Sequence, residues 1–125
     1  MGRRSAAQEQ EPEDTSVAAR FERGAELIRR GAYFDAHEEL ELAWRAAAPD
    51  ERDFFQGLVH FTVAWYQAGR ANRVGCERQL AKAARRLAPY APTHRSVDVS
   101  AVLAQVERAQ RAVAAGSLAF PPARI

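Results

Sequence analysis

Two side chains with acid–base and metal-binding chemistry stand one helical turn apart in this sequence. His37 and Glu41 lie in the segment YFDAHEELELAWR, which runs from Tyr33 to Arg45. Because each residue turns a helix by about 100°, His37, Glu41 and Trp44 share one face of the predicted helix. Glu41 can also reach Arg45 at the i+4 position. Polar side chains therefore lie on the face of the predicted helix that would normally carry buried leucine residues.

This polar row has two interpretations. In the first, His37, Glu41 and Arg45 form a buried network, because a buried carboxylate must be paired and hydrogen-bonded. Gln56 is then expected to reach Glu41 from the next helix. In the alternative, His37 and Glu41 bind a divalent metal, with His60 or another polar group of the third predicted helix as the next ligand, and the protein is a metal-dependent hydrolase. We favour the structural network and expect no cofactor.

The other patterns that could indicate catalysis are incomplete. The string HEELE resembles the HExxH zinc-protease motif, but Glu41 stands where that motif has its second histidine. No histidine has a glutamate three residues before it, as di-iron bundles require. The single cysteine, Cys76, excludes an internal disulfide and lies among apolar helix positions, so we expect a buried thiol. The sequence therefore favours a protein without catalytic activity.

Four basic residues on the fourth predicted helix form a second candidate surface, and they are Arg78, Lys82, Arg85 and Arg86. Such a row is usually solvated, and no aromatic residues are interleaved with it as in nucleic-acid-binding surfaces. The whole chain has 18 basic and 16 acidic residues, for a formal charge of +2. We expect a solvated face, and weak phosphate or nucleic-acid binding is the second alternative function.

The spacing of apolar residues predicts how these side chains are positioned. Every periodic segment has helical spacing, and 125 residues with 47% hydrophobic content suit one core. We predict an all-α fold, a single compact bundle of about five helices with a central, largely buried third helix. Residues 1–14 are predicted to be a disordered tail, 15–122 a single helical domain and 123–125 a C-terminal end.

Helix boundaries follow from capping residues, glycine and proline. We predict helices that begin at Thr15 or Ser16, at Asp35 with Glu38 in a capping box, at Asp50, at Asn72 and near Val99. They are predicted to end at Gly31, before Pro49, before Gly69, near Ala88 and at Gly116. Trp44 and Trp65 are predicted to be core residues, and Gly57 is predicted to let a neighbouring helix approach closely.

The sequence carries no signal for export or for membrane insertion. No apolar stretch follows the paired arginines Arg3 and Arg4, and no segment approaches the run of about 20 apolar residues that spans a bilayer. We therefore predict a cytoplasmic protein that does not contact a membrane.

Three ordered motifs, FDAHEELELAWR, FFQGLVHFTVAWY and NRVGCERQL, resemble the bacterial and archaeal family called domain of unknown function 309. The likeness runs from about Val17 to Pro122 and implies a small all-helical protein with no established activity. It implies that the following residues occupy the motif positions of the family: His37, Glu41, Trp44, Arg45, Gln56, Gly57, Asn72 and Gly75.

The resemblance also bears on two candidate reactive residues. Where this chain has His60 the family pattern more often has glutamine, which argues against His60 as a metal ligand. Cys76 stands where a small residue such as alanine is usual, which argues against a catalytic thiol. The expected function is an interaction or small-ligand-binding module. Its partner is a protein, a small molecule or a second copy of the chain.

Overall fold

The computed structural model describes residues 13–125, with side chains from residue 16 onward, and contains five α-helices in this part of the chain. They are α1 (Glu13–Arg29), α2 (Tyr33–Ala46), α3 (Arg52–Gly69), α4 (Arg73–Leu87) and α5 (Val99–Ala114). Turns of 3₁₀-helix span Pro49–Glu51 and Ala88–Tyr90. The predicted all-α bundle is confirmed. Of the predicted disordered tail, residues 1–12 lie outside the described residues.

A two-stranded antiparallel hairpin, which the sequence analysis did not predict, precedes α5. Its strands are β1 (Thr93–His94) and β2 (Val97–Asp98), joined by Arg95 and Ser96. Both joining residues have positive φ angles, 48° and 63°, as the right-handed twist of a tight hairpin requires. Asn-Gly is the usual signal for such a turn, and Arg-Ser carries no such signal.

Helix α1 buries Val17, Phe21, Ala25 and Ile28, which are the four core residues predicted from their spacing. The predicted N-cap at Thr15 or Ser16 is wrong, since the helix begins at Glu13. Serine and threonine are only modestly poorer helix formers than alanine, so they do not force a boundary. The predicted stop is confirmed, because Gly31 has a φ of 74° and donates to the carbonyl of Ile28.

Helix α2 begins at Tyr33, two residues before the predicted capping box. Ala32 occupies the N-cap position without a side-chain hydrogen bond, and Asp35 lies in the first turn, where its charge favours the helix dipole. The capping box of Asp35 and Glu38 is therefore wrong. The helix ends at Ala46, and Ala48 is extended because a residue before proline is driven out of the helical region.

Helix α3 is the central, most buried helix, as predicted, and packs against both α2 and α4. Ten of its residues are buried: Phe54, Phe55, Gly57, Leu58, Val59, Phe61, Thr62, Ala64, Trp65 and Ala68. The predicted cap at Asp50 is wrong. Asp50 lies in the preceding 3₁₀ turn, which places Glu51 at the N-cap, again without a side-chain hydrogen bond.

Two glycines allow neighbouring helices to approach closely. A Cβ atom on Gly57 would lie 2.6 Å from Leu87 Cγ of α4, which confirms the close approach predicted there. A Cβ atom on Gly24 of α1 would lie 2.8 Å from Leu40 Cγ of α2. Both distances are shorter than carbon atoms tolerate, so these interfaces depend on the missing side chain.

The residues after α5 form an extended segment, 117–125, that lies against the bundle. Trp65 Nε1 donates to the Pro121 carbonyl at 2.8 Å, and the amide of Ala123 donates to the Tyr33 hydroxyl at 3.0 Å. Ala123 is buried. The predicted C-terminal end at residues 123–125 is thus packed onto the helices.

Among the described residues, none of the helices combines the length and the apolar character that crossing a bilayer requires.

Candidate functional site

His37 lies half-buried at the edge of α2, next to an exposed aromatic side chain. Its Nδ1 atom is 2.7 Å from the carbonyl oxygen of Phe34, and its Nε2 atom is 3.8 Å from Glu41 Oε1. The second distance is longer than a hydrogen bond. The side chains of His37 and Glu41 are 21% and 41% exposed. Phe34, itself 48% exposed, places its ring 5.0 Å from the imidazole. These groups form a solvent-accessible edge.

The core face of α2 is rotated away from this edge. Its buried residues are Ala36, Leu40 and Ala43, and Ala47 continues the row just beyond the helix. Trp44 is only partly buried, which corrects the prediction that it is a core residue. Small alanine side chains suffice at this face because α1 and α2 approach closely at Gly24.

Of the three contacts predicted for Glu41, the structure contains one, with His37. Arg45 is exposed, and no hydrogen bond or ion pair joins it to Glu41 among the residues described. Gln56 is half-buried on α3 and also makes no hydrogen bond to Glu41. The rotation of α2 explains the difference, since Glu41 keeps contact with water and needs no buried donors.

His60 faces α4 rather than α2. Its Nδ1 atom is 2.7 Å from Gln79 Oε1, whereas Nε2 is buried without a hydrogen-bond partner. Burial lowers the pKa of His60, and the nearby positive charges of Arg86, Lys82 and Arg85 lower it further, whereas the contact with Gln79 opposes this. The neutral imidazole is therefore the favoured form.

The three metal-ligand candidates, His37, Glu41 and His60, are not gathered into one site. In the part of the chain that the structure describes, no group of three histidine, cysteine, aspartate or glutamate side chains could hold a metal ion together. Cys76 is buried, as predicted, and burial raises the pKa of its thiol to about 11. At neutral pH this thiol carries almost no nucleophilic thiolate.

Asn72 and Gly75 form the N-terminal cap of α4, as predicted for Asn72. The side-chain oxygen of Asn72 accepts from the amide of Gly75 at 3.0 Å, and its Nδ2 atom donates to Gln67 Oε1 at 3.0 Å. A Cβ atom on Gly75 would lie 2.7 Å from Asn72 Nδ2, so the cap has no space for a larger residue. These two motif positions stabilise the α3–α4 turn.

The basic row of α4 does not form one uniform surface. Arg78, Lys82 and Arg85 are exposed. Arg86 is half-buried and pairs with Asp53 of α3, with 2.6 Å between Nη1 and Oδ1. One of the four cations therefore contributes to the α3–α4 interface.

A cluster of charged groups around Glu51 was missed by the sequence analysis. Arg95 binds the Glu51 carboxylate through two hydrogen bonds of 2.6 and 2.8 Å, and His94 Nε2 lies 2.7 Å from Oε2. The hydrogen bond from Arg95 is the main reason that the pKa of Glu51 falls to about 2. Partial burial raises this pKa, whereas the hydrogen bond to His94 lowers it further. The partners lie more than 40 residues apart in sequence, so no local pattern indicates the contact.

An apolar cavity lies between α3, α5 and the segment 117–125. We call it the Trp65–Phe120 cavity, because these two rings, with centroids 5.0 Å apart, form its aromatic wall. Its volume is about 370 Å³. The lining residues are Trp65, Ala101, Gln105, Arg108, Ala109, Phe120, Pro121, Pro122 and Arg124. Trp65 is buried, which confirms the prediction from its spacing, but no sequence pattern predicts a cavity beside it.

Three hydrogen bonds hold the wall of this cavity in place. The bond from Trp65 Nε1 to the Pro121 carbonyl fixes the plane of the indole. Gln105 clamps the backbone of Arg124, because its Oε1 accepts from the amide at 2.9 Å and its Nε2 donates to the carbonyl at 2.8 Å. The cavity is thus preformed by groups that are already hydrogen-bonded.

Residues 21–79 match the model of a protein family described as Domain of unknown function (DUF309). The match confirms the resemblance inferred from the three motifs, over a shorter stretch than the predicted Val17 to Pro122. It includes the whole of α2 and α3, together with parts of α1 and α4. No match was found among curated proteins, and none among solved structures.

Proposed function

We propose that this chain, which resembles the domain of unknown function 309 family over residues 21–79, is a noncatalytic module that binds a small molecule in the Trp65–Phe120 cavity. The ligand has an apolar body and lies against the two aromatic rings. The module requires no metal and no other cofactor for this role.

The observation that carries the proposal is the preformed apolar cavity itself. Small-molecule sites are concave, mostly apolar and commonly about 300–1,000 Å³ in volume, with a few polar groups that orient the ligand. A cavity of about 370 Å³ that contains Trp65, Phe120 and two prolines fits this description. Because Trp65 and Arg124 are held by hydrogen bonds before binding, little ordering entropy is lost when the ligand enters.

The His37 edge supports this function less well. His37 and Glu41 are open to solvent and 3.8 Å apart, and the adjoining Phe34 ring is exposed. An aromatic side chain beside a polar pair suits a protein contact. Phe34 also lines a cavity of about 420 Å³, but neither His37 nor Glu41 lines it. We therefore place the ligand at Trp65 rather than at the polar row.

The test uses Trp65 as its own probe. In a Trp44→Phe background, Trp65 is the only tryptophan, and titration with octan-1-ol should give a saturable change in its fluorescence. A rise in the unfolding midpoint should accompany it, since a ligand that binds the native state stabilises it.

Ala101→Phe should fill part of the cavity, because Ala101 lines it, and the exposed position on α5 lets the helix accept a larger side chain. Ala114→Phe is the matched control, since Ala114 is also exposed on α5 but does not line this cavity. The proposal fails if octan-1-ol gives no saturable signal, or if Ala101→Phe binds it as well as the control does.

A further inference from the structure

We infer that the ligand of the Trp65–Phe120 cavity is an amphipathic carboxylate, whose apolar body contacts the aromatic wall and whose carboxylate binds Arg108 and Arg124. This inference rests on the proposed function and adds the chemical class of the ligand.

The two arginines reach the cavity from different elements. Arg108 belongs to α5, whereas Arg124 belongs to the segment 117–125, and both side chains are exposed while they line the cavity. Gln105 holds the backbone of Arg124 on both sides of the residue. The Arg124 guanidinium is therefore attached to a fixed backbone and remains available to a ligand.

Neither guanidinium is neutralised within the described part of the chain. Ten close contacts join acidic and basic side chains there, apart from a further contact of Arg95, and none of them includes Arg108 or Arg124. Glu107, the acidic residue next to Arg108, pairs instead with Arg111 one turn further along α5. Two residues that line the apolar cavity thus carry positive charges without an internal ion-pair partner in the described part of the chain.

This combination selects an anion that also has an apolar body. Guanidinium groups bind carboxylates through paired hydrogen bonds, which are stronger than hydrogen bonds between neutral groups. The aromatic wall, in turn, gains free energy only from a ligand that removes apolar surface from water. A small polar anion such as acetate binds the arginines but leaves the aromatic wall uncovered. A neutral alcohol covers the aromatic wall but makes no ion pair with the arginines.

Three probes with the same eight-carbon body test the inference: octanoate, octan-1-ol and octylamine. They are titrated at low ionic strength into the protein with Trp44→Phe. A charge-assisted hydrogen bond that survives partial solvent screening should make octanoate bind about tenfold more tightly than octan-1-ol. Octylammonium should bind more weakly than either. Added salt should weaken octanoate binding and leave octan-1-ol binding unchanged.

Changing Arg108→Gln and Arg124→Gln together should weaken octanoate binding about tenfold and remove its preference over octan-1-ol measured in the same variant. The control is the double change of Arg78→Gln and Arg85→Gln, which removes two exposed charges from α4, away from the cavity. This control should retain the preference for octanoate.

The outcomes separate the two proposals. If octan-1-ol and octanoate bind equally, or if the double change at Arg108 and Arg124 keeps the preference for octanoate, the carboxylate inference is overturned and the cavity remains a neutral apolar site. If octan-1-ol gives no saturable signal, the proposed function fails, and the carboxylate inference that rests on it fails as well.

Discussion

Replacing Glu51 with glutamine should reveal how much the 3₁₀ turn before α3 contributes to stability. The change keeps the shape of the side chain and one acceptor oxygen, but it removes the charge that Arg95 and His94 bind. A fall in pKa from 4.5 to about 2 corresponds to roughly 3 kcal/mol of native-state stabilisation. Because the carboxylate keeps partial contact with solvent, we expect screening to reduce this to about 1–2 kcal/mol.

The sign of the pH dependence follows from the direction of the pKa change. Glu51 has a lower pKa in the folded protein than in the unfolded chain, so its contribution is fully present above pH 4.5 and is lost as the pH falls toward 2. Glu51→Gln should be about 1–2 kcal/mol less stable than the parent at pH 7, and this difference should disappear near pH 2.

Urea unfolding of both proteins between pH 2 and 7 measures this difference directly. Glu77→Gln is the control, because Glu77 also pairs with an arginine but at an exposed position on one helix, where such pairs contribute little. Equal stability of Glu51→Gln and the parent at pH 7, or the same loss of stability on acidification in both, would refute the reasoning.

Three further predictions concern packing, capping and reactivity. Gly57→Ala should destabilise the protein by about 1–3 kcal/mol, because the added methyl group meets Leu87. In the same unfolding assay Gly69→Ala should be neutral or stabilising, since no atom lies within 4 Å of its Cβ position. Asn72→Ala should cost about 1 kcal/mol through loss of the α4 cap, and an unchanged midpoint would contradict that role. Cys76 should resist a thiol-specific disulfide reagent until the protein unfolds, since it is buried and its pKa is raised to about 11; rapid reaction of the native protein would contradict this.

Local signals were sufficient to predict the helices and much of the core. Gly31 and Gly116 end helices with positive φ angles, and Asn72 caps α4, because these effects depend on residues within one turn. The spacing of Val17, Phe21 and neighbouring residues also predicted the buried side of α1.

The buried side of α2 could not be read from the same kind of pattern. Hydrophobicity favours a face that contains Trp44, yet the core takes Ala36 and Ala43. Alanine becomes a good core residue only where helices approach closely, and that approach depends on Gly24, in a different helix. The contact between α1 and α2 therefore determines which of two similarly hydrophobic faces of α2 is buried.

The candidate site was harder to predict for a related reason. Its walls come from α3, α5 and the segment 117–125, so Trp65 and Phe120 meet only after the bundle has assembled. Nothing in the spacing of either residue indicates a cavity. Likewise, Glu51 and Arg95 are 44 residues apart, and the turn that carries Arg95 lacks the usual glycine.

The segment 117–125 is attached to the helices by hydrogen bonds between residues that are distant in the sequence. The amide of Ala123 donates to a hydroxyl 90 residues away, and that of Arg124 to a side chain 19 residues away. Only Ala123 of this segment is buried, and regions with few buried contacts are among the first to be lost in local unfolding. Because this segment is one wall of the cavity, its detachment would let a ligand exchange while the helices of the described residues remain folded.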